Sequence, residues 1–536
     1  MSPTRRTHGA LAVLTGLTLF AASACGGTTA DDGDAAGGTP KPGGALTFAL
    51  QSPPLSANPR AFTDSASVYV TRQLFDSLVA QDPATGEIGP WLAERWEANA
   101  DATAFTFHLR DGVTFSDGTP LTADVVKANF DDIIANRAKL NPAIAPSVAN
   151  LTGAKADGDS VTVTFGKPSA PFLQAVSSPG LSIVGAASLK LPFEERADKA
   201  VGSGPFRLDA FGQSGATLSR RTGYAWQPAR EERTGDAHLD KVEFTVIPES
   251  GVRTGSLQSG QVLAIGDVPP ADVQALRDGG RQVIARPNPG LVLGLIPIQA
   301  RPALSDANVR RAVALSIDAA EVRDTVLSPD FAPATSVLAK TTPGYADLSA
   351  QVRFDPAEAA RLLDAAGWKR AGDGVREKDG QKLSLVVGWF PIYGFNQKVL
   401  ELIKAQAAKV GIELELLEQT GAQLLDGLKN AKYDFFWTNA TSADGDVLRA
   451  TFSGAPPNFY RIADPGLEEL LQRQIGESDP GVRDKTLAEI QQHVVDQGLY
   501  LPVFEPTALL AASPKVHGLA FTASSGLGGL RDTWLS

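Results

Sequence analysis

Cys25 is the only cysteine in 536 residues. No disulfide can staple the body, and no thiol downstream can serve as nucleophile or thiolate ligand. Histidine is scarce as well. Beyond the first 25 residues only His108, His238, His493 and His517 occur, at separations that match no metal-ligand spacing. A Gly-x-Ser-x-Gly elbow, a His-Glu-x-x-His pair and a Walker phosphate loop are all missing. No catalytic residue, metal ligand or cofactor is therefore assigned, and the chain is not read as an enzyme. Carboxylate-based hydrolysis is the one enzymatic class left open, because 60 acidic residues offer many pairs. After the first 24 residues no apolar run approaches the ~20 needed to cross a bilayer. Basic residues are outnumbered, 49 against 60, for a formal charge of −11. Such a body does not favour nucleic acid or anionic lipid as its main partner.

What is present begins with an address. Arg5, Arg6 and His8 form a basic start with no acidic residue before Asp31, and Ala10 to Ala22 is apolar apart from Thr15, Gly16 and Thr18. Thirteen residues are too few to span a membrane, so residues 1–24 read as a signal peptide. Ala22-Ser23-Ala24-Cys25 resembles the lipobox of bacterial lipoproteins, which implies cleavage before Cys25 and a lipid on its sulfur. The alternative is an ordinary secretory signal with a chance cysteine. The Arg5-Arg6 pair leaves both general and twin-arginine export open. Removing the leader takes away two positive charges and no negative one, which moves the net charge to −13. Residues 25–44 follow as a tether with seven glycines, Asp31, Asp32, Asp34 and two prolines. That composition buries too little to order itself, and its reach is roughly 25 Å.

The remaining body exceeds what one core organises, so two or more lobes are expected. In the first part Phe105, Phe107 and Leu109 alternate with polar residues, Asp111-Gly112 and Asp117-Gly118 turn, and Val161, Val163, Phe165 and Val242, Phe244, Val246 alternate likewise. Thr122 stands where a helix N-cap belongs. Residues from about 45 to 290 read as mixed strands and helices with much antiparallel pairing.

The second half changes character. Asp355-Pro356-Ala357-Glu358 supplies an N-cap, a first-turn proline and a capping-box glutamate, and Gly367 ends that helix. A strand at Leu383 to Trp389, a helix from about Asn396 to Val410, a strand at Ile412 to Leu416, a helix at Gly421 to Asn430 and a strand at Tyr433 to Asn439 follow. That alternation predicts a parallel sheet with right-handed crossovers, and ligands of such sheets bind beyond the carboxyl ends of the strands. Trp389, Trp437 and Asn439 lie at those ends and are candidate ligand-binding residues, with core packing the competing role for both tryptophans. Asp444 and Asp446, in a nearby glycine-containing loop, are further candidates, with a solvated turn as the alternative. Trp91, Trp96 and Trp368 are expected to pack.

Several blocks resemble the extracellular solute-binding proteins of the oligopeptide, dipeptide and nickel ABC importer family. They are Leu74 to Val79, Trp91 to Ala93, Phe105 to Gly118, Val201 to Phe206, Arg311 to Asp318 and Tyr500 to Phe504, spread over nearly the whole mature chain. The resemblance implies an α/β, two-lobe periplasmic-binding-protein-like fold. Residues 45–290 would form the first lobe with an extra subdomain at about 60–200, residues 291–507 the second lobe, and residues 508–536 a tail returning to the first. It implies a monomer outside the cytoplasmic membrane that closes on a small solute and delivers it to importer permease subunits. It also adds Tyr69 and Phe504 as cleft residues. Peptide-like solutes head the expected ligands, with metal chelates, opines and sugars as alternatives. Peptide-binding relatives carry an aspartate three residues after the strand-end tryptophan, where this chain has Ala440. Simple peptides are thus expected to bind weakly by that mode, and a cationic ligand to depend on Asp444.

Overall fold

The computed structural model describes residues 39–536 apart from Thr63, Glu232 and Ile392. The expected signal peptide, Cys25 and most of the tether lie outside the described residues.

Ala45–Leu50 is the spine of a seven-stranded sheet. Leu46, Phe48 and Leu50 pack into one apolar cluster and Ala49 into another, so the strand is buried on both faces. Such strands favour parallel neighbours covered by helices. Ala45–Leu50 pairs in parallel with Lys241–Val246 and with Ala264–Ile265. The antiparallel pairing read from the sequence holds for the flanks, where Gly215–Arg220 meets Lys241–Val246 and Thr507–Ala512 meets Gln282–Pro287. The parallel centre escaped that reading because its strands stand far apart in the chain.

Between these strands lies a four-stranded antiparallel sheet made of Ala93–Ala98, Ala104–Leu109, Ser160–Phe165 and Leu151–Asp157. Phe105, Phe107, Leu109, Val161, Val163 and Phe165 all face one core, as their alternation predicts. The helix Ala123–Ala135 contributes Val126, Phe130 and Ile133 to that core, and Thr122 caps it by accepting from the Val125 amide. This unit is anchored by a buried network. Asp76 accepts from Ser203 Oγ and Trp226 Nε1, each at 3.0 Å, and from the Tyr224 hydroxyl at 3.4 Å. A side chain at Gly202 would meet the Leu74 carbonyl at 2.0 Å, so only glycine allows the two blocks to touch. Burial pushes the Asp76 carboxyl up to about 6 despite the adjacent Arg72. Arg72 in turn lies over the ring of Trp91 at 4.3 Å.

A five-stranded sheet, in the order Glu413–Glu418, Ser384–Trp389, Phe435–Thr441, Gly290–Pro297 and Leu501–Phe504, organises the rest. The first three strands run parallel as expected. Gly290–Pro297 runs antiparallel to both neighbours and makes the sheet mixed. It also extends the ladder of Phe435–Thr441 past the short parallel pairing at Phe435 and Phe436, so Trp437 sits mid-strand opposite Leu295 rather than at a strand end. Asp355 caps the helix Pro356–Ala365 by accepting from Glu358, and Gly367, at φ +88°, turns the chain after it.

The chain passes from the seven-stranded sheet to the five-stranded one between Pro287 and Gly290, and returns between Phe504 and Thr507. One apolar cluster runs across this junction, from Ala49, Ile265 and Val268 to Leu293, Trp437 and Phe504.

Candidate ligand cleft

The seven-stranded sheet brings two elements to the carboxyl ends of its parallel strands. The first is the helix Ser65–Thr71, capped by Asp64, which presents Tyr69 edge-on to Phe48 with ring centroids 5.9 Å apart. The second is the turn that follows Ala264–Ile265. A Cβ at Gly266 would lie 3.1 Å from the Tyr69 ring, so the glycine lets that ring settle on the turn. Asp267 comes next, at φ +52°, a region that costs a non-glycine residue about 1–2 kcal/mol. Arg253, almost wholly buried, holds the turn in place. Its guanidinium donates to the carbonyls of Ile247, Pro248, Gly266 and Asp267 at 2.8 to 3.2 Å. The Asp267 carboxylate itself has no hydrogen bond or ion pair among the described residues, and its desolvation raises its pKa more than the charge of Arg253 lowers it.

The five-stranded sheet answers with the loop after Trp389. Tyr393 stacks on Phe395 at 5.2 Å, and its hydroxyl accepts from Asn439 Nδ2 at 3.4 Å. Phe395 rests on Phe331 and Phe504, and Phe504 touches Trp437 at 6.3 Å between centroids. Asn288, in the crossing segment, lies beside the Tyr393 hydroxyl, and its Oδ1 is buried without a partner. Burial raises the pKa of both Tyr69 and Tyr393, and the negative charge of Asp267 raises both further. The charge of Asp267 thus reaches phenols carried by elements of both sheets.

Tyr69 is 5% exposed, packed against Phe48 and the Gly266 turn, and Asn439 is half-buried beside Tyr393. Trp389, Trp437 and Phe504 are 4%, 1% and 0% exposed and form an aromatic bed behind Tyr393, with both indole N–H groups lacking an acceptor among the described residues. Asp444 and Asp446 require a correction, because each already has a cation. Asp444 receives both terminal nitrogens of Arg483, and Asp446 receives Nε and Nη2 of Arg449 together with Gln474 Nε2. Carboxylates so paired are not available to a solute. Asp267, Tyr393 and Asn288 are further candidates that sequence reasoning missed. Their signals were faint: an aspartate between glycine and Val268-Pro269-Pro270, and a tyrosine just past a strand-end tryptophan.

Elsewhere the strand Val79–Gln81 and the segment at Ala170 meet the loop after Thr441 and the end of the helix Pro465–Ile475. Gln81 Nε2 donates to the Ala443 carbonyl at 2.9 Å, and the Ala170 amide donates to the Ile475 carbonyl at 2.9 Å. Among the described residues no three His, Cys, Asp or Glu side chains are grouped to hold a metal ion.

Two sheets joined by paired crossings, with aromatic and polar side chains meeting between them, define a solute receptor of the periplasmic-binding-protein kind. The chain belongs to the family described as bacterial extracellular solute-binding proteins, family 5 Middle, whose model matches residues 87–456. It is similar to the nickel-binding periplasmic protein of Escherichia coli K12, 24% identical over 85% of this chain and 89% of that one. It is also similar to the dipeptide-binding protein of the same organism, 24% identical over 88% and 91%. The structure of NikA from Brucella suis in complex with Fe(III)-EDTA shares the fold, with a TM-score of 0.80 at 24% identity over 92% of this chain and all of that one. The protein is a non-enzymatic, extracytoplasmic receptor that serves an ABC importer.

Proposed function

We propose that this receptor captures a peptide or peptide-like solute by lobe closure, and that a lipid on Cys25 tethers it to the outer face of the cytoplasmic membrane. The observation that carries the reading is the meeting of Tyr69 and Asp267 from one sheet with Tyr393 and Asn439 from the other. A solute between them touches both lobes, so its binding energy favours the closed form. Tyr69, Asn439 and Tyr393 line the cleft in this reading, and Trp389, Trp437 and Phe504 shape its wall. The two unsatisfied indole N–H groups fit a solute rich in acceptors, such as a peptide backbone, because each buried donor left unpaired costs about 1–3 kcal/mol. The lobe limits are those of the crossings, near residues 287–290 and 504–507.

Ala440 favours a second reading, a non-peptide solute such as a metal chelate, since it removes the carboxylate that peptide-binding relatives place there. Small-angle scattering of the mature chain with pooled di- and tripeptides, and separately with Fe(III)-EDTA, separates the two. The peptide reading expects the radius of gyration to fall with the peptides alone. Contraction with the chelate alone supports the second reading, and a radius that neither changes sinks both.

A further inference from the structure

Among the described residues, Asp267 is a carboxylate at the candidate cleft that the fold leaves without a partner. Neither its own turn nor the opposite lobe gives it a hydrogen bond or an ion pair among the described residues, although Arg253 stands close by. Arg253 is committed to four backbone carbonyls and so fixes the turn without neutralising the side chain. The carboxylate is also held at a positive φ that glycine would occupy with less strain. The Tyr69 ring lies 3.1 Å from a Cβ built at Gly266, the residue before it, and the charge of Asp267 reaches the phenol of Tyr393 from the other lobe, beside which the Oδ1 of Asn288 is buried without a partner among the described residues.

We propose that Asp267 receives a cationic group of the solute, an ammonium held between its carboxylate and the rings of Tyr69 and Tyr393. An ammonium carries three donors, and the Asp267 carboxylate, Asn288 Oδ1 and a tyrosine hydroxyl offer three acceptors. Aromatic rings beside a carboxylate add cation–π attraction in a desolvated site. The charge that Ala440 leaves out of one wall is thereby supplied from the other, and the solute's cation ties the two lobes together. Desolvation of the carboxylate is a cost in the free receptor, and the incoming cation offsets it. The proposal rests on the receptor reading above and narrows its solute to one with a free amine.

The test uses the mature chain with putrescine, lysinamide and trialanine, each beside its fully N-acetylated counterpart, followed by calorimetry and thermal melting. Wild type is expected to bind at least one free amine and none of the acetylated forms. Asp267→Asn should weaken that binding on the order of 30-fold or more. The melting temperature of unliganded Asp267→Asn should stay level or rise, since a half-buried, unpaired charge is removed and Asn tolerates positive φ. Asp267→Gly, suited to the same φ, is the second variant and should lose binding equally. The proposal is overturned if the amines bind both variants as tightly as wild type, if the acetylated forms bind equally well, or if no amine binds wild type. Native mass spectrometry of the purified chains separates this from the parent reading. A solute retained equally by wild type and Asp267→Asn overturns the amine site alone, whereas no solute on either and no response to any probe overturns the receptor reading too.

Discussion

Asp444 and Arg483 form a two-pronged ion pair, with the Arg483 nitrogens 2.8 and 2.5 Å from the two carboxylate oxygens and both side chains nearly buried. Arg483 also reaches Gln474 Oε1 at 3.0 and 3.1 Å. The acid that sequence spacing puts forward for a cationic ligand is therefore a structural brace between the loop after Thr441 and the helix Pro480–Asp496.

Asp444→Asn should accordingly lower unfolding stability by about 3 kcal/mol, because it strands a buried guanidinium. Urea unfolding measures the loss. A variant as stable as wild type but unable to bind solute would return Asp444 to the cleft.

The contact of Gln81 with Ala443 predicts an effect on closure. Gln81 donates to Ala443 and accepts from Gln174 on its own side. If the lobes close as proposed, Gln81→Ala removes a hydrogen bond of the closed form, worth about 1 kcal/mol, or about a fivefold shift toward the open form. Small-angle scattering should report a larger mean radius for the variant without solute. Identical scattering from the two proteins would count against Gln81 as a closure contact.

Asp76 predicts a pH dependence with a defined sign. Its carboxyl titrates at about 6 in the folded protein, above its ordinary value of 3.8, because burial disfavours the charge. Between those values the folded state holds the proton and the unfolded chain does not. Stability from this group is therefore highest in acid and falls as pH rises through the window, reaching a full cost of about 3 kcal/mol above it. Subtracting the unfolding free energy of Asp76→Asn from that of wild type isolates the effect, and the difference should decline from pH 4 to pH 7. A difference that is flat or rises with pH contradicts the assignment.

Membrane attachment should depend on Cys25 alone. Cys25→Ser, expressed without the cognate permease, is expected to leave the membrane fraction as a folded protein, read by fractionation and circular dichroism. A folded variant that stays with the membrane would refute the lipid tether.

Local chemistry made much of this fold legible. Phe105, Phe107 and Leu109 announced a half-buried strand by alternation, and Asp355-Pro356 with Gly367 bounded a helix, because strand period and helix capping are properties of neighbouring residues. Contacts between distant residues were not legible. The pairing of Ala45–Leu50 with Lys241–Val246, and the meeting of Asp76 with Ser203 and Trp226, join segments that no local pattern connects. The cleft divides the same way. Tyr69 was put forward by family position and Asn439 by an expected strand end, yet the strand runs on to Thr441. Asp267 owes its place to a turn clamped by Arg253, and Asp444 is excluded by Arg483, 39 residues further along the chain. Through-space pairing of charges decides both cases, and sequence spacing does not encode it.

In the proposed receptor one solute is held between Tyr69 and Asp267 on one lobe and Tyr393 and Asn439 on the other. Native mass spectrometry of the exported chain, wild type beside Tyr393→Ala, tests it most directly. The account predicts one small solute per wild-type chain, released intact on unfolding, and little or none on a folded Tyr393→Ala. A wild-type chain that carries no solute, or equal occupancy in the variant, would contradict it.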